Sequence, residues 1–166
     1  MTTYHTNNMD LKRRNRVNTL RCILKNDRVS QMELTQRLGL SWPTILQNVK
    51  ELTELGLVRE DGVYASTGGR KARAFVPVRD ARVAAGVELT RDHVSVVLTD
   101  LSGNLLRQAQ GALRFSMEDI YFKYLGGLLQ RFVEAAGVGD RLLGMGLAIP
   151  GVVAAERGLL RDSRPL

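Results

Sequence analysis

A chain of 166 residues with 44% hydrophobic and 25% charged residues has room for one medium domain or two small ones. No apolar run approaches the ~18 residues that span a bilayer, no basic-then-apolar signal peptide opens the chain, and Cys22 is alone, so a membrane protein, a disulfide scaffold and a multi-cysteine metal site are not expected. The formal net charge of +7 invites an anionic partner: nucleic acid, a membrane surface or an acidic protein. His5 and His93 make no metal site with their neighbours in sequence, and the expected setting is a reduced cytoplasm.

Residues 1–8 are polar and expected to be loose. Residues 10–26, DLKRRNRVNTLRCILKN, carry an apolar stripe of Val17, Leu20 and Leu24 with Ile23 beside it, which predicts a first helix. Its basic start, Lys12, Arg13, Arg14 and Arg16, reads equally as a phosphate contact or a solvated helix end. Cys22 beside the stripe reads as a partly buried structural thiol.

Ser30 followed by Glu33 has the form of a capping box, and Leu34 and Leu38 share one face of the helix it opens. Gly39 supplies the turn. Ser41 caps the next helix and Pro43 sits in its first turn, where a missing N–H is harmless. Ile45, Val49, Leu52 and Leu55 recur at helical spacing as a buried stripe, and Gly56 stops the helix. A helix, a tight turn and a second helix make a helix-turn-helix. The face opposite the stripe carries Thr44, Gln47, Asn48 and Glu51, with Lys50 at its flank. Gln and Asn pair bidentately with adenine in the major groove, and the N-terminal part of the second helix meets the base edges in this motif. Trp42, Thr44, Gln47 and Asn48 are therefore expected to face bases, with Ser41 and Lys50 on phosphate and Pro43 opening the helix between them. The plainer reading is a small helical bundle with an ordinary polar face.

Leu57 and Val58 begin a strand, Asp61-Gly62 is a turn signal, and Ser66-Thr67-Gly68-Gly69 is a second flexible tip. Arg70 to Val76 returns, basic first and apolar after. A hairpin with a basic edge directly after a recognition helix is what a wing requires, so Gly69, Arg70, Lys71 and Arg73 are expected at phosphate or in the minor groove. The plainer alternatives are a solvated loop or a phosphate-binding turn for a nucleotide. Residues 1–80 hold fourteen Lys or Arg against eight Asp or Glu, and residues 81–166 hold ten against nine, so the positive charge lies with the helix-turn-helix.

Pro77 to Arg82 reads as a hinge. Strands are expected at Val83 to Leu89, His93 to Leu98 and, more weakly, Leu105 to Leu113, with a hairpin turn at Asp100 to Asn104. Ser116 is expected to cap a helix running to about Ala136, its buried line Ile120, Tyr124, Leu128 and Phe132, ended by Gly137-Val138-Gly139. Arg141 to Ile149 reads as a buried strand ending in Pro150-Gly151. Three antiparallel strands, a helix and a further strand open an α/β domain.

The runs GLSWPTILQNVKELTELGLVRE and STGGRKARAF, then AAGVELTRDHVSVVLTDLSGNLL and GMGLAIPGVV, in this order resemble the ROK family of repressors, open reading frames and kinases across essentially the whole chain. The resemblance implies an α+β and α/β chain: a winged helix-turn-helix DNA-binding domain at 1–78, then at 79–166 the truncated first portion of an actin-like, ribonuclease H-like effector domain. It further implies a repressor of carbohydrate-use genes, acting as a homodimer on a near-palindromic double-stranded operator, with a sugar effector only in the complete protein. Kinases of the family carry Asp-x-Gly-Gly-Thr after the first strand. Here the matching run is Glu88-Leu89-Thr90-Arg91-Asp92, which lacks both glycines and would repel phosphate. The family's catalytic Asp, sugar-contacting residues and zinc-binding Cys/His cluster lie beyond Leu166, so no catalytic, cofactor or metal residue is assigned. A lobe lacking its later elements is expected to leave the apolar face of Leu142 to Ile149 partly uncovered and prone to association. Two rival readings are a sugar kinase with an appended N-terminal domain and a helix-turn-helix used for protein contacts.

Overall fold

The computed structural model describes residues 8–63 and 72–149, and the backbone of two short strands at Val152–Ala154 and Leu159–Asp162. The chain divides into two compact units, Met1–Ala81 and Arg82–Leu166.

The first unit has the order α1 (Asn8–Asn26), β1 (Val29–Ser30), α2 (Gln31–Leu38), α3 (Trp42–Glu54), β2 (Val58–Val63) and β3 (Arg73–Pro77). The capping box at α2 is complete: Ser30 Oγ accepts from the Glu33 backbone N–H, and Glu33 accepts from the Ser30 backbone N–H at 2.8 Å. Gly39 closes α2 at φ 62°, a left-handed conformation that a Cβ would disfavour. Ser41 caps α3, accepting from the Thr44 N–H. Ile23, Leu34, Ile45, Val49, Leu52, Val58 and Phe75 close one core, each large aliphatic side chain contributing on the order of 1.5–3 kcal/mol by leaving water.

Three expectations for this unit need correction. Leu55 is 49% exposed, because it is the cap residue past the last full turn of α3 and no longer follows the stripe. Val17 is also exposed, while Thr19 and Ile23 are fully buried. The line of α1 that meets α3 is Arg16, Thr19 and Ile23, at i, i+3 and i+7. Asp61-Gly62 is not a hairpin turn: β2 runs through it, with a bulge between Glu60 and Val63 and Gly62 at φ 67°. The sheet order is β1-β3-β2, all antiparallel. The two-residue strand β1 beside β3 was not legible in a sequence where Ser30 reads only as a cap.

The second unit runs β4 (Val83–Leu89), β5 (His93–Thr99), β6 (Leu105–Ala112), α4 (Asp119–Ala136), β7 (Leu142–Ala148), β8 (Val152–Ala154) and β9 (Leu159–Asp162). The four-stranded order is β6-β5-β4-β7, with β4 and β7 parallel and the other pairs antiparallel. Strict alternation puts Val83, Ala85, Val87 and Leu89 of β4 and Val94, Val96 and Leu98 of β5 in one core. Asp100 shapes the following turn by accepting from the Ser102 and Asn104 backbone N–H groups.

Helix α4 keeps half of the expected line, with Phe132 buried and Leu128 packed against the same core, and shifts the other half. Tyr121, Leu125 and Phe132 are buried, while Ile120 and Tyr124 are 69% and 55% exposed. A line of residues spaced by four gains about 40° per step on a 3.6-residue turn, so the four expected positions cannot all face one sheet. The N-cap is Glu118, and Ser116 accepts from the Glu118 N–H just before it. Strand β7 is an exposed edge rather than a buried strand, with Leu143 at 65% and Leu147 at 55%. Its uncovered apolar side chains match the expectation drawn for Leu142 to Ile149. Among the described residues no helix is long and apolar enough to cross a membrane, and no group of His, Cys, Asp and Glu could hold a metal ion.

Candidate DNA interface

Helix α3 is sharply two-sided. Ile45, Asn48, Val49 and Leu52 are buried, at i, i+3, i+4 and i+7. The opposite side exposes Pro43, Leu46, Gln47 and Lys50, which repeat the same spacing two residues earlier. Trp42, 49% exposed, and Ser41 stand at its N-terminal end. Thr44 is half-buried, its hydroxyl 2.8 Å from Ser41 Oγ, so cap and first turn are fixed together.

Asn48 does not join this face, and its assignment to a base is corrected. It is 6% exposed, and its Nδ2 donates to Thr19 Oγ1 at 2.9 Å, while Thr19 Oγ1 donates to the Asn15 carbonyl at 2.8 Å. The chain of bonds satisfies two buried polar groups where α1 crosses α3. The signal was in the sequence: Asn48 sits three residues after Ile45 and four before Leu52, inside the apolar stripe.

Leu46 is the residue that sequence reasoning passed over. It lies beside Gln47 at 52% exposed, and an aliphatic side chain there suits a thymine methyl group. Gln47 Nε2 donates to Glu51 Oε1 at 2.8 Å, and Arg16 of α1 pairs with Glu51 Oε2. The Gln47 hydrogen bond, then the Arg16 hydrogen bond, hold the Glu51 carboxyl below the usual range against a smaller opposing effect of burial. Lys50 lies 3.9 Å from Glu54 on the exposed surface.

The wing strands are β2 and β3. Arg73, exposed, opens β3 opposite Val63 and lies 3.5 Å from Glu60. Arg28 donates to the Asp61 carbonyl at 2.9 Å, tying the turn before β1 to the bulge of β2. Gly69, Arg70 and Lys71, expected at the wing tip, lie outside the described residues.

Three helices, a short strand and a two-stranded hairpin behind an exposed helix face define a winged helix-turn-helix. Residues 12–59 match the family described as winged helix-turn-helix DNA-binding. The chain is 28% identical over 144 residues to the xylose repressor of Bacillus spizizenii, covering 86% of this chain and 38% of that protein. It is 26% identical over 151 residues to the xylose repressor of Bacillus subtilis, covering 90% and 39%. It is 27% identical over 153 residues to the DNA-binding transcriptional dual regulator NagC of Escherichia coli, covering 91% and 38%. A solved ROK family transcriptional regulator, described as a homolog of the Escherichia coli MLC protein, superposes with a TM-score of 0.65 at 22% identity, over 90% of this chain and 38% of that one. The chain thus spans less than half the length of the relatives it matches. More particularly than its class, the resemblance to ROK-family regulators is borne out: a winged helix-turn-helix, then the first part of an actin-like domain.

Proposed function

We propose that this protein is a sequence-specific DNA-binding repressor of carbohydrate-use genes, acting in the cytoplasm. One observation carries the reading: α3 buries one stripe and presents Pro43, Leu46, Gln47 and Lys50 on the other, within the segment that matches DNA-binding winged helices. The DNA-binding role is assigned to residues 1–78 and the effector role to 79–166. Leu46 and Gln47 meet base edges, as do Trp42 and Thr44 at the N-terminal end of the helix. Ser41 and Lys50 meet phosphate, as do Gly69, Arg70, Lys71 and Arg73.

Two copies place their α3 helices in successive major grooves of a near-palindromic operator. A sugar bound by the complete effector domain changes the spacing of the two heads and so the affinity. The similarity to xylose repressors and NagC supports the carbohydrate link. The role is regulatory rather than enzymatic. The run Glu88 to Asp92 lacks the glycine pair that lets backbone approach a phosphate, and Thr90 is committed to His93 through both its backbone N–H and its hydroxyl.

Selection of duplexes from a random pool, followed by fluorescence anisotropy with Gln47→Ala, tests the reading. Loss of a bidentate contact lowers affinity for the selected site by about 10- to 100-fold and relaxes preference at one base pair. Unchanged preference at every position would contradict the assignment of the reading face.

A further inference from the structure

Gln47 is not a free side chain. Its amide nitrogen donates to Glu51 Oε1 at 2.8 Å, one helical turn on, and Arg16 of α1 engages the other carboxylate oxygen. We infer that Glu51 is a positioning residue for base recognition, fixing which edge of the Gln47 amide meets the DNA, and that Arg16 holds Glu51 in place. The inference rests on the DNA-binding reading and adds a cause for its specificity.

An ionised carboxylate only accepts hydrogen bonds, so the amide group facing Glu51 has to be the NH₂. One N–H is then committed, and the other N–H and the carbonyl oxygen remain for a base. That pair is complementary to adenine, whose N7 accepts from the amide N–H and whose N6–H donates to the amide oxygen. Turned the other way, the same amide would present a different pattern, and an untethered glutamine samples both. The Gln47 and Arg16 hydrogen bonds, aided by the positive charges of Arg16 and Lys12, outweigh the partial burial of Glu51 and hold its pKa below the ordinary value, in the direction that favours the ionised carboxylate. Arg16 answers a second need. A bare carboxylate in a DNA-facing helix repels phosphate, and the guanidinium beside Glu51 offsets that charge. The basic lead-in of α1 therefore gains a role in specificity through its fourth cation, beyond general attraction to phosphate.

The full 166-residue chain is tested on duplexes selected by the wild type, with each base pair substituted in turn, using Gln47→Ala, Glu51→Ala, the Gln47→Ala/Glu51→Ala double variant and Arg16→Met. Thermal unfolding checks that each is folded. The wild type is expected to favour adenine at one base pair by about 10- to 100-fold, and Gln47→Ala to abolish that preference. Glu51→Ala should reduce it to about threefold or less at the same base pair only, and the double variant should match Gln47→Ala. Should Glu51→Ala not fold, Arg16→Met carries the test, lowering discrimination at that same base pair. Wild-type discrimination retained in Glu51→Ala, or in Arg16→Met where that variant stands in, overturns the inference while leaving the DNA reading intact. So does a Glu51→Ala effect that persists in the Gln47→Ala background, which would mark a direct contact of Glu51 with a base. A wild-type chain that shows no base preference at all contradicts the DNA reading, and the inference falls with it.

Discussion

Neighbouring residues of α3, Gln47 and Asn48, have the same chemistry and opposite fates. Gln47 is exposed and paired with Glu51, whereas Asn48 is buried and bonded to Thr19. Asn48→Ala leaves the Thr19 hydroxyl without its buried donor and should lower stability by about 1–3 kcal/mol in chemical denaturation. On DNA it should weaken all sequences alike, with no relaxation at a single base. A second residue-level expectation concerns Tyr121. Burial pushes its hydroxyl pKa up, and that hydroxyl has no hydrogen-bond partner among the described residues. Tyr121→Phe should therefore be neutral or stabilising by about 1 kcal/mol, read as the denaturation midpoint. A composition-level reading puts Asn48 outside because Asn is polar. Only its register against Ile45 and Leu52 reveals the inward direction, and only the crossing of α1 supplies the partner.

At the scale of elements, local signals were legible wherever the deciding chemistry lies within a few residues. Ser30 with Glu33, Ser41 with Pro43, and Gly39 marked the ends of α2 and α3 because caps and left-handed turns are set locally. The pairing of β1 with β3 depends on a partner distant in sequence and escaped, whereas on α4 Phe132 and the half-buried Leu128 of the expected line do meet the core and only Ile120 and Tyr124 drift out of it. Ser30→Ala should lower stability by about 1 kcal/mol through loss of the cap. The same box makes a pH prediction. The Ser30 backbone N–H, then its hydroxyl, hold Glu33 below its ordinary pKa of 4.5. Folding therefore favours the ionised carboxylate. Its stabilisation is fully present above 4.5 and is lost as pH falls through the lowered value. Glu33→Gln should accordingly destabilise the protein at neutral pH and lose less stability than the wild type on acidification, as followed by denaturation at both conditions. Glu33 is more than a third exposed, so the effect is modest.

At the scale of the whole molecule, charge and uncovered surface set two behaviours. Strand β7 exposes Leu143, Met145 and Leu147 at a sheet edge, a surface that favours association. Leu147→Lys should cost little stability, since more than half of Leu147 is exposed, and should lower the weight-average mass seen by sedimentation at high protein concentration. The order of strands and helix in the second unit was legible from alternation and turn residues, but the exposure of β7 was legible only as a consequence of the family resemblance. The apolar run Leu142 to Ile149 by itself reads as buried. The excess of basic residues in the first eighty positions makes DNA binding dependent on counterion release. Anisotropy of the wild-type chain on carbohydrate-gene upstream duplexes and on random duplexes, at two salt concentrations, tests the central claim most directly. The account predicts binding that weakens steeply with salt and retains a preference for particular upstream sequences. Absence of binding even at low salt would contradict it and return the helix-turn-helix to a structural role.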